Sequence, residues 1–273
     1  MCALALRNRP YPMIAITREI STALARCELT HLERAPIHLE RARTQHSAYE
    51  RALEDSGCRI IRLPSSDEFP DCVFVEDAAV AFDEVAIMTR PGAASRRGEL
   101  TAIEEALAPL RPLQRIQAPG TLDGGDVLVL GRSVFVGLSS RSNAEGVRQL
   151  AEHLTPLGYS VRGIEVAGCL HLKSAATAID AGRALVHPGW VSPSLLGDVE
   201  CIPIDPAEPM AANLVALPGE RWLYGAAYPR TTKRLRDLGL DIVELEADEL
   251  AKAEGALSCC SILLREGTAA RHS

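Results

Sequence analysis

The feature that most constrains this chain is a repeat. Four times, a short apolar strand is followed by a turn, a second strand, a helix and a third strand. In the first unit the strands 73–80 and 85–89 flank a turn at Asp83-Glu84, and a helix over 97–110 leads to a strand over 113–118. The second has strands 126–130 and 133–137 around Gly131-Arg132, a helix over 143–157 and a strand over 160–166. The third has strands 170–179 and 184–187, a short helix near 193–197 and a strand over 201–204. The fourth has strands 212–217 and 222–224, a helix over 231–238 and a strand over 241–246. A fifth unit opens at 260–264 and lacks the rest. The N-terminal stretch supplies the missing elements in order: a strand over 13–17, a helix over 36–55 and the strand Cys58–Leu63. Opening strands recurring every 40 to 50 or so residues are a repeat signature. The expected fold is α/β: a ring of five ββαβ units, closed by pairing the first strand beside the last. Closure removes exposed sheet edges.

Composition narrows the classes open to such a ring. At 273 residues the chain is long enough for one large core. A single domain over 13–265 is expected, with extensions at 1–12 and 266–273 and no linker. A net charge of −7 with scattered basic residues does not suit a nucleic-acid surface. No apolar run is long enough to cross a bilayer. Residues 1–6 are apolar but lack a basic leader, so they read poorly as a signal peptide. The eight cysteines are dispersed, with no Cys-x-x-Cys pair and no Cys/His ligand spacing. Free thiols in a reducing cytoplasm are expected, and no structural zinc.

If the opening strands line one axis, their equivalent ends converge. Near those ends stand Asp71, Glu76 and Asp77, then Asp123 and Asp126, His171, Asn213, and Ser258-Cys259-Cys260. Cysteine, histidine and acids at one place suit thiol catalysis. In Phe69-Pro70-Asp71-Cys72-Val73-Phe74-Val75-Glu76-Asp77, strand alternation puts Asp71 and Asp77 on one face and Glu76 on the other. His171 faces away from Leu170 and Leu172 by the same rule. Asp123 lies before Gly124-Gly125, where backbone can approach closely. It either fixes the tautomer of His171, binds a substrate cation, or does both. Arg96 and Arg141 each stand just before a helix. They are either ordinary helix-start charges or a bidentate grip on a carboxylate. Acids and arginines together outline a site for a zwitterion shaped like arginine.

Phe69–Asp77, Thr89-Arg90-Pro91-Gly92, Ser95-Arg96-Arg97, Leu122–Asp126, Val136-Gly137-Leu138, Leu170–Lys173, Ala211-Ala212-Asn213 and Ser258–Cys260 closely resemble the dimethylarginine dimethylaminohydrolase (dimethylargininase) family. The resemblance runs from about residue 13 to 265. It implies the five-bladed α/β propeller of the guanidino-group modifying enzymes. It also implies hydrolysis of asymmetric dimethylarginine and monomethylarginine to citrulline and an alkylamine, without cofactor or metal. Cys259 would attack the guanidinium carbon, and His171 would protonate the leaving amine and then activate water. Asp77 would hold the guanidinium nitrogens, and Asp123 would orient His171 and contact the substrate. Glu76 would contribute its carbonyl. Asp71 and the carbonyl of Leu29 would receive the α-amine, and Arg96 and Arg141 the carboxylate. The loop with Ala253 would close the pocket. Asp123 stands where many bacterial members carry Glu, and its shorter arm leaves its reach to the guanidinium open.

The implied partner is a small molecule, with no nucleic acid or membrane and with a homodimer left open. Arginine deiminase is the rival activity, but it usually carries a helical insertion that the span from Arg96 to Arg111 does not hold. A non-catalytic propeller, like the translation factor that prevents ribosomal subunit joining, is the rival class. Cys259, His171 and Asp123 together speak against it. Of the two adjacent cysteines, the family pattern makes Cys259 reactive and Cys260 a buried hydrophobe.

Overall fold

The computed structural model describes residues 13–266. The extensions expected at 1–12 and 266–273 therefore lie outside the described residues, Glu266 excepted.

β1 (Met13–Arg18), α1 (Leu39–Asp55) and β2 (Cys58–Leu63) come first. α1 turns Ala42, Tyr49 and Leu53 inward at helical spacing. Its Tyr49 hydroxyl meets Ser261 Oγ at 2.7 Å, tying this helix to the far end of the chain. Next come β3 (Ala79–Ala81), β4 (Ala86–Met88), α2 (Leu100–Leu107) and β5 (Leu113–Arg115). Then follow β6 (Val127–Leu130), β7 (Ser133–Leu138), α3 (Ala144–Leu154) and β8 (Ser160–Glu165). The next stretch holds the single-turn α4 (Leu172–Ala175), β9 (Ala176–Ala178), β10 (Arg183–Val186) and β11 (Glu200–Pro203). The last holds β12 (Leu214–Leu217), β13 (Arg221–Gly225), α5 (Pro229–Asp237), β14 (Asp241–Leu245), α6 (Asp248–Ala251) and β15 (Ile262–Arg265).

Among the described residues the strands form five three-stranded sheets, ordered β15-β1-β2, β3-β4-β5, β6-β7-β8, β9-β10-β11 and β12-β13-β14. In each, the first pair is antiparallel and the second parallel, which needs the crossover that a helix supplies. The incomplete fifth unit is completed as the repeat requires. Met13 pairs with Arg265 and Ile16 with Ile262, so the first and last strands share a sheet. Neighbouring sheets touch through their opening strands: β15 with β3, β6 with β9, and β9 with β12. A cavity of about 240 Å3 is lined from all five of them, including Val80, Val129, Ala178, Ala216 and Leu263.

The opening strands are shorter than their sequences suggest. Residues 73–78 are not strand: Val75–Ala78 is a 3-10 helix, and pairing begins at Ala79. Successive tight turns precede it, with Cys72 N–H donating to the Phe69 carbonyl and Phe74 N–H to the Asp71 carbonyl. Val73, Phe74 and Val75 are all buried, so β-forming residues are used here to fill core space on several sides. The same device recurs at Gly124–Asp126, α4 and Ser258–Cys260. Strand alternation therefore does not orient Asp71, Glu76, Asp77 or His171, as the sequence reading had supposed. Tight helical turns at the mouths of β3, β6, β9 and β15 set these positions, and Asp71 lies in the turns just before the first of them.

Candidate active site

Polar side chains from three of these turns meet at one place. A small cavity of about 20 Å3 is lined by Asp71 and Asp77 from the first unit, Arg96 and Arg141 from the next two helix starts, and His171, Ala253 and Cys259. Glycine makes the turns fit. A Cβ on Gly124 would overlap the Glu76 carbonyl oxygen, and one on Gly125 would lie 2.6 Å from His171 Nδ1. No other residue lets the second unit's turn pass so close to the first.

His171 caps the N-terminus of α4 and is buried. Its Nε2 lies 3.1 Å from Asp123 Oδ2, and its Nδ1 lies 3.9 Å from Asp77 Oδ1. Asp123 is wholly buried and does not line the small cavity. Its other oxygen accepts the Gly92 N–H at 2.9 Å. Of the roles the sequence leaves open, this geometry suits holding the ring. Asp126, also buried, accepts the Leu172 N–H and the hydroxyls of Ser139 and Ser142, which fixes the start of α4. Burial opposes a charge on His171, but Asp77, Asp126 and Asp123 outweigh it and push its pKa up to about 9.

Asp77 is buried between two cations. Arg96 Nη1 donates to its Oδ2 at 2.5 Å, and Gly125 N–H to its Oδ1 at 2.9 Å. Burial alone would raise its pKa, yet His171 and Arg96 hold it below the usual carboxylate range. Asp71 goes the other way: burial raises its pKa against the pull of Arg96. Its Oδ2 accepts the Glu28 N–H at 3.1 Å. Glu28 reaches the cavity, while Leu29 packs at the edge of the core beside it.

The two arginines differ. Arg96 is gripped on three sides, by Asp77, by Glu99 at 2.9 Å and by the Phe74 carbonyl at 3.0 Å. Among the described residues the Arg141 guanidinium bonds only the Thr30 hydroxyl, at 3.1 Å. Glu99, three places beyond Arg96, carried no motif in the sequence. Glu254 was missed as well. Its carboxylate accepts the N–H groups of Thr30, His31 and Leu32, strapping that loop over the cavity beside Ala253. The only available signal was helical i,i+3 spacing for Glu99. Glu254 reaches residues more than 200 positions away and had none.

Cys259 and Cys260 share the 3-10 turn Ser258–Cys260. Cys259 is half-buried and lines the cavity, while Cys260 is fully buried among Val73, Phe74 and Leu257. Neighbours on a 3-10 turn point about 120° apart, so one thiol meets the cavity and the other the core. Burial, then Glu76 and Asp77, raises the Cys259 thiol above its ordinary range. Glu76 turns its side chain away, to Lys173 at 2.5 Å and the Ser258 hydroxyl at 3.1 Å. Asn213 joins the same turn, donating to Ser258 Oγ at 2.9 Å.

Asp77, Asp123 and His171 bring donor atoms within 4.8 Å of one another, close enough to share an ion. The raised pKa of His171 works against that, because a protonated imidazole has no lone pair for a metal.

The charge on His171 has a measurable consequence. Asp77→Asn removes the carboxylate that contributes most to it, so the His171 midpoint should fall from about 9 toward the ordinary histidine range. NMR titration of the imidazole C–H reads this directly, and an unmoved midpoint would assign the effect elsewhere. The sign for stability follows. A folded pKa above the unfolded value stabilises fully below about pH 6.5, and that contribution is lost as pH rises through about 9.

Known proteins share this chain's sequence and fold. The family model described as "N,N dimethylarginine dimethylhydrolase, eukaryotic" matches residues 26–177. The chain is 42% identical over 254 residues to N(G),N(G)-dimethylarginine dimethylaminohydrolase of Streptomyces coelicolor, spanning 92% of this chain and 97% of that one. It superposes on the dimethylarginine dimethylaminohydrolase of Pseudomonas aeruginosa, a cysteine-to-serine mutant complexed with citrulline, with a TM-score of 0.89. That pair is 35% identical and covers 94% of this chain and 100% of the other. A histidine-to-glycine form of a dimethylarginine dimethylaminohydrolase, solved as an adduct with S-methyl-L-thiocitrulline, gives a TM-score of 0.87 at 35% identity, covering 93% and 100%. Fold and relatives define the class as hydrolases acting on C–N bonds. Within that class, the chain belongs to the dimethylarginine dimethylaminohydrolase family.

Proposed function

We propose that this chain hydrolyses asymmetric dimethylarginine and monomethylarginine to citrulline and dimethylamine or methylamine, with a covalent thiouronium on Cys259. The observation that carries the reading is one cavity, in a chain of this family, lined together by Cys259, His171, Asp77 and Arg141. Residues 13–265 act as one catalytic domain, a closed five-bladed α/β propeller. The cavity lined from all five opening strands supports that closure. The unpaired state of the seven described cysteines fits a cytoplasmic setting.

Asp71 takes the substrate's α-amine, with the Leu29 carbonyl beside it. Arg141 takes the α-carboxylate, with Arg96 next to it. Asp77 pairs with the guanidinium, assisted by the Glu76 carbonyl. The Cys259 thiol is neutral in the free protein, so the guanidinium charge must help release its proton to solvent. The thiolate adds to the guanidinium carbon. The imidazolium of His171 gives its proton to the alkylated nitrogen, the C–N bond breaks, and the amine departs. Neutral His171 then takes a proton from water, hydroxide adds to the thiouronium, and the C–S bond breaks as the added hydroxyl's proton passes to the departing sulfur. The oxygen stays in citrulline, and sulfur and imidazole regain their starting states. Asp123 holds the ring throughout and does not touch the reacting atoms.

A citrulline-release assay with dimethylarginine, monomethylarginine and arginine tests the reading. Faster turnover of arginine than of its dimethylated form would make the chain a deiminase instead. The two arginines separate in the same assay. Arg141→Ala should raise KM, since a charge-assisted contact contributes about 1.5–3 kcal/mol. Arg96→Ala should also lower stability, because it leaves Asp77 and Glu99 buried without their shared partner.

A further inference from the structure

Cys259 and His171 also face a second compartment. A cavity of about 170 Å3 shares His171, Cys259, Glu254 and Gly255 with the small charged one. Its other walls include Leu32, Met210, Tyr228, Ala251 and Ala256. A third cavity, of about 370 Å3, shares those five residues. The reacting pair thus stands between a tight charged space and a roomy one with much carbon surface. Within the roomy wall Glu76 is paired with Lys173, and Asn213 is bonded to Ser258 behind it. Leu32 and Met210, at 43% and 45% exposure, are two of the three large exposed hydrophobic side chains among the described residues. Scattered single cases need no explanation, but two on one wall of a cavity that also holds Cys259 do.

Resting on the function proposed above, we propose that this compartment receives the alkyl group of the leaving amine. Arginines whose ω-nitrogen carries a chain longer than methyl, such as propyl, are then substrates too. The amino-acid end is held by Asp71 and Arg141 in the wall of the small charged cavity, which leaves the ω-substituent on the side of Cys259 and His171 that opens to the roomy compartment. The chemistry balances as before. The C–N bond to the alkylated nitrogen breaks, the alkylamine leaves with the His171 proton, and the water oxygen ends in citrulline. Added methylenes meet Met210, Leu32 and Tyr228 rather than solvent, and apolar burial offsets the size increase.

The test measures citrulline release from dimethylarginine, monomethylarginine and Nω-propyl-L-arginine by the full chain and by Met210→Trp. The propyl compound should keep kcat/KM within about tenfold of monomethylarginine, the low end of what a single methylene is worth in a pocket. Met210→Trp should lower the propyl-to-methyl ratio at least about tenfold, a discrimination that general damage to the fold would not produce. If that variant does not fold, Leu32→Trp tests the same compartment. A larger deficit for the propyl compound in the unaltered chain, or a ratio unmoved by tryptophan, overturns the inference while the methylated substrates still react. Failure of the methylated substrates themselves would overturn the function on which it rests.

Discussion

Cys259→Ser is expected to abolish citrulline release, by at least about a thousandfold, while Cys260→Ser keeps most of it. The serine hydroxyl ionises far less readily than a thiol, and nothing beside Cys259 is placed to take its proton before substrate arrives. His171 is already protonated at neutral pH, and Glu76 is engaged with Lys173 and Ser258. Cys260 contributes volume instead. Its Sγ sits 3.6 Å from the Ala256 carbonyl, so a serine there finds an acceptor and should lose only about 1–3 kcal/mol of stability. Peptide mass spectrometry after labelling with a cationic alkylating amidine should place the adduct on Cys259. A neutral alkylating agent should react slowly, because burial and the nearby acids hold that thiol above its ordinary range. An adduct on Cys260 would mean that the turn Ser258–Cys260 is rotated by one residue.

Gly125→Ala should be nearly as damaging, though residue 125 carries no reactive group. The added methyl would sit 2.6 Å from His171 Nδ1 and 2.7 Å from Asp77 Oδ1. Both side chains are buried, and the residue's own N–H is committed to Asp77, so neither side yields easily. A displacement of about 1 Å in a catalytic group loses roughly a hundredfold in rate, and kcat/KM should fall at least that far. Overpacking should cost about 1–3 kcal/mol besides. Gly163→Ala is the control: its new methyl would meet Leu138 at ordinary contact distance, 3.5 Å, and activity should persist. Equal losses in both variants would show that glycine at 125 matters to folding alone.

Much of the architecture could be read from residue patterns. The strand Cys58–Leu63 and the return of the N-terminal elements to the fifth unit were legible because apolar periodicity and turn residues mark them directly. The turns before the opening strands were not. Val73, Phe74 and Val75 favour a strand locally, and only tertiary packing folds them into successive tight turns. The convergence of Asp77, His171 and Cys259 was therefore foreseen for a partly mistaken reason: the repeat was right and the strand alternation was not. The pairing of Arg96 with Glu99 and the strap made by Glu254 lay out of reach, since hydrogen bonds to distant backbone leave no pattern in a single sequence.

The pairing of β1 with β15 sets a condition on how the protein is made. A ribosome produces β1 first and β15 last, so the first sheet waits for nearly the whole chain before it is complete. Bringing such distant segments together is entropically slow, so the seam should be a late step in assembly. Cys259 stands three residues before β15, on the turn that this seam anchors. Its neighbour Ser261 is clasped by Tyr49, from the first helix. On the roles proposed above, a nascent chain with His171, Asp77 and Asp123 in place but without the closing strand should be inert. Only the closing strand brings the thiol to them, so the chemistry proposed above requires the two ends of the fold to have met.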